Sequence, residues 1–156
     1  MIQRVQSIYL LLVTVLMSFL LVRAYAELTL NADQLLTFRA HAIVSDIGSD
    51  TETIYKSTIP VIALVLITAI LSFINIFIYR RRIIQIRICM VNTLLLVALL
   101  ITIFLYYMVT KNSLTTIHQS FRIPAIFPLM GIVFNIMATR AIQRDELLVN
   151  SYKRIR

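Results

Sequence analysis

Residues 57–109 read STIPVIALVLITAILSFINIFIY, then RRRIIQIR, then ICMVNTLLLVALLITIFLYYMV. The two outer pieces contain no Asp, Glu, Lys, Arg or His, and the short piece between them carries four arginines. A helix rising ~1.5 Å per residue needs ~20 residues to cross ~30 Å of hydrocarbon, and each piece is long enough. The stretch is therefore a transmembrane hairpin with a basic turn, Arg80 to Arg87. Working outward, Ser7–Val22 and Ile123–Thr139 are likewise free of charged residues and histidine. The expected fold class is an all-α membrane protein, a four-transmembrane-helix bundle. It forms a single membrane domain over 1–156, with spans at about 5–23, 57–79, 88–109 and 123–140. Arg4, the apolar Ile8–Val22 and Ala24-Tyr25-Ala26 also fit the layout of a cleavable leader. We take this segment as a retained first span.

Charge orients the bundle. Arg4, the turn with Arg80, Arg81, Arg82 and Arg87, and the tail with Arg140, Arg144, Lys153, Arg154 and Arg156 hold ten basic residues against Asp145 and Glu146. The other segments hold five basic and five acidic residues, so the whole net charge of +8 falls on one side. By the positive-inside rule both termini and the central turn are cytoplasmic, an N-in/C-in topology. This accounts for a pI near 10.2 without nucleic acid, because the basic residues form short juxtamembrane clusters with no aromatic-interleaved domain to read bases. Arg4, Arg80, Arg81, Arg82, Arg87, Arg140 and Arg144 are candidate contacts to anionic phospholipids.

The outer loop 24–56 carries strand-like pieces at 28–30, 36–47 and 51–57, separated by turn-forming Asn31–Asp33 and Ile47–Asp50. A small extracytoplasmic β-like cap is expected there. The second outer loop, Thr110–Arg122, reads as polar and short. The tail 141–156 reads as a cytoplasmic continuation of the fourth helix, with Ala141, Leu148, Tyr152 and Ile155 on one face.

Small and polar residues mark the faces on which membrane helices pack. The expected inward stripes are Ser7, Leu11, Thr14, Ser18 and Leu21; Thr68, Ser72, Asn75 and Tyr79; Asn92, Leu95, Leu99, Thr102 and Tyr106; and Pro124, Pro128, Gly131, Asn135 and Ala138. Asn75 precedes Arg80 by five residues, Asn92 follows Arg87 by five, and Asn135 precedes Arg140 by five. All three lie ~7.5 Å inside the arginines by helix rise, which predicts an asparagine layer in the bundle core. Pro60 and Pro124 fit first helical turns, whereas Pro128 is expected to bend the fourth helix.

Reactive chemistry is sparse. No Asp, Glu, Lys, Arg or His lies within the apolar runs to carry a proton or ion, two glycines make no phosphate loop, and two histidines without a companion Cys or carboxylate pattern are a weak metal signal. The lone Cys89 fits a small apolar filler. No cofactor is expected.

The opening MIQRVQSIYL (Met1–Leu10) and the ending RAIQRDELLV (Arg140–Val149), followed by Ser151 and Lys153-Arg154-Ile155-Arg156, resemble a Bacteroidetes-type domain-of-unknown-function family of small four-span inner-membrane proteins. The resemblance covers the whole chain. It implies an inner-membrane location, no assigned reaction, and the tail pair Asp145 and Glu146 as a typical feature, here a candidate partner-docking site. The expected function is a non-enzymatic accessory or scaffold subunit of a larger inner-membrane complex. The alternative is a small solute or lipid transporter acting as an oligomer, and an enzyme acting on lipid headgroups ranks last for want of a nucleophile or base.

Overall fold

The computed structural model describes residues 3–31, 34–47, 53–78, 81–113 and 118–154. In chain order the elements are α1 (Gln3–Val22), β1 (Ala26–Asn31), β2 (Gln34–Phe38), β3 (Ala42–Ile47), β4 (Thr53–Ser57), α2 (Ile59–Phe77), α3 (Arg82–Ser113), β5 (His118–Phe121), a 3-10 turn (Ile123–Ile126) and α4 (Phe127–Arg154). All four helices are long and apolar enough to cross a membrane. α1 packs against α2 and α4, and α3 packs against the same two, so the helices stand at the corners of a square. Ile70, Phe73, Phe77, Leu94, Ile101 and Phe104 are exposed on the outside of the bundle. An apolar exterior of this extent fits hydrocarbon better than water, as in a multi-pass membrane protein.

Helix boundaries follow local chemistry more than charge. Arg82 and Arg87 lie inside α3, because no Pro or Gly between residues 80 and 87 stops the helix. Their positive charge opposes the dipole at that end, which costs only ~0.3–1 kcal/mol per charge at an exposed site. Pro60 sits in the first turn of α2. The bend expected at Pro128 is not needed: residues 123–126 form the 3-10 turn with Pro124, α4 starts at Phe127, and Pro128 is its second residue. There its missing N–H has no intrahelical partner to lose. α4 then runs unbroken through the tail to Arg154.

One antiparallel sheet of five strands, ordered β4-β3-β2-β1-β5, closes the end of the bundle opposite Gln6 and Arg82. The continuous strand-like segment expected at 36–47 is split into β2 and β3 by a turn in which Arg39 N–H donates to Ala42 O at 3.0 Å. Thr58 fastens the next corner, its hydroxyl donating to Ala40 O at 3.0 Å. The second loop contributes β5, paired with β1 in the register Ala26↔Phe121 to Thr29↔His118, and so is more than a polar connection. The turn residues expected at 32–33 and 48–50 lie outside the described residues.

The sheet shares its core with the helices. Ala26, Leu28, Leu36, Phe38 and Ile43 pack with Met17 and Leu20 of α1, Val61 and Val65 of α2, and Leu96, Leu99 and Tyr107 of α3. Aromatic rings bind the junction, with Phe38 5.9 Å from Tyr107 and Tyr107 4.6 Å from Phe121 between centroids. At mid-bundle Gly131 leaves room for Met17 and Leu96, whose side-chain carbons would lie 3.3 and 3.4 Å from an added Cβ.

The inward stripes are partly as expected. Thr68, Ser72 and Asn75 face in, as do Pro128, Gly131, Asn135 and Ala138. In α1 the buried face is Gln6, Leu10, Val13, Met17 and Leu20, while Leu11 and Ser18 are exposed. The physical reason is local: Thr14 donates to Leu10 O at 3.0 Å and Ser18 to Thr14 O at 2.9 Å, so neither hydroxyl needs a neighbouring helix. In α3 the buried face is Gln85, Cys89, Asn92, Leu96, Leu99, Ile103 and Tyr107, with Leu95, Thr102 and Tyr106 at its margin. Tyr79 lies outside the described residues.

Candidate functional site

The polar side chains gather at the end of the bundle away from the sheet, in two layers. The inner layer holds the three predicted asparagines, all buried. They do not form a ring of mutual bonds; each ties one helix to another through a different partner. Asn75 of α2 donates to Cys89 Sγ at 3.0 Å and Gln85 O at 3.4 Å on α3, and Gln85 Nε2 returns a bond to Asn75 O at 3.3 Å. Asn92 Nδ2 donates to Ser72 Oγ at 2.8 Å, a second α2–α3 bridge. Asn135 of α4 donates to Cys89 O and to Thr93 Oγ1, each at 2.8 Å. Residue 89 is therefore the node: its thiol meets α2 and its carbonyl meets α4. Interhelical bonds of this kind contribute ~0.6–2 kcal/mol each, enough to choose one register among near-equivalent packings.

The nitrogens are engaged, and the oxygens are not. Among the described residues, Asn75 Oδ1, Gln85 Oε1, Asn92 Oδ1 and Asn135 Oδ1 are buried without a donor. Rotating the amides does not solve this for three of the four. The Asn75, Gln85 and Asn135 nitrogens all face backbone carbonyls, which only accept, so a flip would set oxygen against oxygen.

Leu10, Ala138 and Ile142 pack with the same Cys89 between the asparagines and the outer polar layer. There Gln6 Nε2 of α1 donates to Asp145 Oδ2 of α4, and Arg82 Nη1 of α3 donates to Asp145 O at 2.9 Å. Three helices meet at one residue. Gln6 is buried and Asp145 is only 6% exposed, so the carboxylate works inside the chain; Glu146 beside it is half-buried. This alters the docking role expected for the acidic pair, since Asp145 does not present an open charge to a partner. Around this layer Arg81, Arg87, Arg140 and Arg144 are exposed and Arg82 is half-buried. Arg80 lies outside the described residues, as does the side chain of Arg4.

At the sheet end, Arg122 pairs with Glu27, and Lys56 Nζ stands 5.6 Å from the centre of the Tyr106 ring. Tyr25 is fully buried, and burial pushes its phenol well above the ordinary tyrosine range, with Tyr106 adding to the shift. Among the described residues no three His, Cys, Asp or Glu side chains assemble.

The model of the family described as Domain of unknown function (DUF4293) matches residues 2–155. The chain belongs to that family. A comparison with curated proteins gives no match. In this DUF4293 chain the residues that sequence reasoning missed are Gln6, Gln85 and Thr93, together with the hydrogen-bonding role of Cys89. Gln6 had a usable signal, because it lies four residues before Leu10 on the face that Leu10, Val13 and Met17 continue. Gln85 had none of that kind, sitting among four arginines that made the stretch look like a solvated turn.

Proposed function

We propose that the chain is a non-enzymatic accessory or scaffold subunit of a larger bacterial inner-membrane complex. Its termini and the α2–α3 turn lie on the cytoplasmic side and its sheet caps the opposite side. The observation that carries the reading is where the polar side chains go. Asn75, Asn92, Asn135, Gln85 and Gln6 spend their donor groups on other helices of the same chain. That use supports a clamp that holds four helices in register. The orientation is supported by the +8 net charge collected at the terminal end of the bundle. The sheet and the basic end offer protein surface at both faces of the membrane, which suits a subunit that links partners.

Site-specific photo-crosslinking in cells tests this. Crosslinkers at exposed Leu35 in the sheet and at exposed Gln143 in α4 are expected to trap a small, reproducible set of other membrane proteins. Adducts only to lipid or to a second copy of the chain, from both positions, would count decisively against a subunit role.

A second reading is a small solute or lipid transporter acting as an oligomer. It is favoured by the four buried amide oxygens that lack donors, since a polar solute carrying N–H or O–H groups would satisfy them. Changing Asn75, Asn92 and Asn135 together to leucine separates the two. A clamp predicts loss of thermal stability and of assembly, whereas a solute path predicts a stable, assembled and inactive protein.

A further inference from the structure

α1 and α4 are held close at Gln6 and Asp145 but part beside this contact, where Ala141 is too small to fill the gap. The result is a groove of about 500 Å³ with Val5 and Tyr9 on one wall and Met137, Arg140, Ala141 and Arg144 on the other. Asp145 also lines it. We propose that this groove binds one monoanionic glycerophospholipid, its phosphodiester held between Arg140 and Arg144 and one acyl chain lying along Tyr9 and Met137.

Three features select this occupant. First, Arg140 and Arg144 are one helical turn apart on the same face and both exposed, a spacing that lets two guanidinium groups share one phosphate. Second, the charge balances. Two arginines face one carboxylate, and that carboxylate is buried and already bonded to Gln6, so the lining carries one net positive charge for one phosphodiester. Third, the groove spans the change from polar to apolar. Val5 opens the apolar stretch of α1, and the charge-free run of α4 ends at Thr139, directly before Arg140. Val5 and Met137 leave apolar surface uncovered at 43% and 41% exposure, and Tyr9 is fixed at the deep end by stacking on Phe134 at 6.4 Å between centroids. A free phosphate would satisfy the arginines and leave that apolar wall bare; a phospholipid covers both.

The experiment is native mass spectrometry of the delipidated full chain, titrated with micelles containing dioleoylphosphatidylglycerol or dioleoylphosphatidylcholine. One phosphatidylglycerol per chain is expected to survive detergent stripping, with little retention of phosphatidylcholine. Arg140→Gln with Arg144→Gln should weaken retention tenfold or more, while Arg81→Gln with Arg87→Gln, also exposed, should change it less than twofold. Ala141→Leu, which adds bulk to the α4 wall without altering charge, should weaken it as well. Equal retention of the two lipids, an equal loss in both arginine pairs, undiminished retention in Ala141→Leu, or displacement by millimolar inorganic phosphate would each overturn the proposal.

Discussion

At the residue scale, the clearest consequences come from side chains with a single well-defined neighbour set. Gly131 allows α4 to approach Met17 and Leu96. Gly131→Ala should be nearly neutral, because the nearest atom is the flexible end of Met17 and alanine favours helix by ~1 kcal/mol. Gly131→Val adds branched bulk at the same point and is expected to cost ~1–3 kcal/mol through overpacking, read as a lower unfolding midpoint in detergent. Tyr25 makes a pH prediction. Its phenol has no partner among the described residues, and burial holds it in the protonated form in the folded chain. The unfolded chain loses that proton near pH 10, the folded chain only at higher pH. The contribution is therefore complete below about pH 10 and is lost as pH rises through the alkaline range. Unfolding midpoints measured from pH 8 to 11 should fall more steeply in the native chain than in Tyr25→Phe. Parallel slopes would show that Tyr25 ionises as freely folded as unfolded.

At the scale of elements, the joint between α1 and α4 makes the sharpest claim. Gln6→Leu strands a buried carboxylate without its donor and should cost more than the pair Gln6→Leu with Asp145→Leu, which removes both polar groups. Thermal unfolding of the two single variants and the double variant tests this. A double variant less stable than either single would contradict it. The same element shows how much the sequence reveals. Four apolar runs without charge locate the spanning helices, because in hydrocarbon the backbone must satisfy itself. The inward face of α1 was misread because Thr14 and Ser18 bond to their own helix, and such hydroxyls carry no information about neighbours. β5 was invisible for another reason. A four-residue strand of His, Gln, Ser and Phe has almost no periodic signal, and its partner β1 lies some ninety residues earlier. The asparagines were legible as a group because depth can be counted from the arginines. Their actual partners, Cys89, Gln85, Ser72 and Thr93, depend on helix rotation and could not be counted.

At the scale of the whole molecule, the chain is a graded column. A sheet at one end shares an apolar core with the helices, followed by an amide layer, a thin apolar layer and a charged joint ringed by arginines. The polar side-chain bonds near the terminal end join helices of the same chain. We read this as the build of a subunit that presents surfaces, and the orientation it requires can be tested by labelling. In a Cys89→Ser background, Thr37→Cys in β2 should react with a membrane-impermeant maleimide added to intact spheroplasts, and Gln143→Cys in α4 should react only after permeabilisation. The subunit reading itself meets its most direct test in native mass spectrometry of the tagged chain released from its own membranes in mild detergent. A particle whose mass requires other protein subunits at fixed stoichiometry is expected. A particle made only of this chain and lipid, still homogeneous after crosslinking in the membrane, would contradict it.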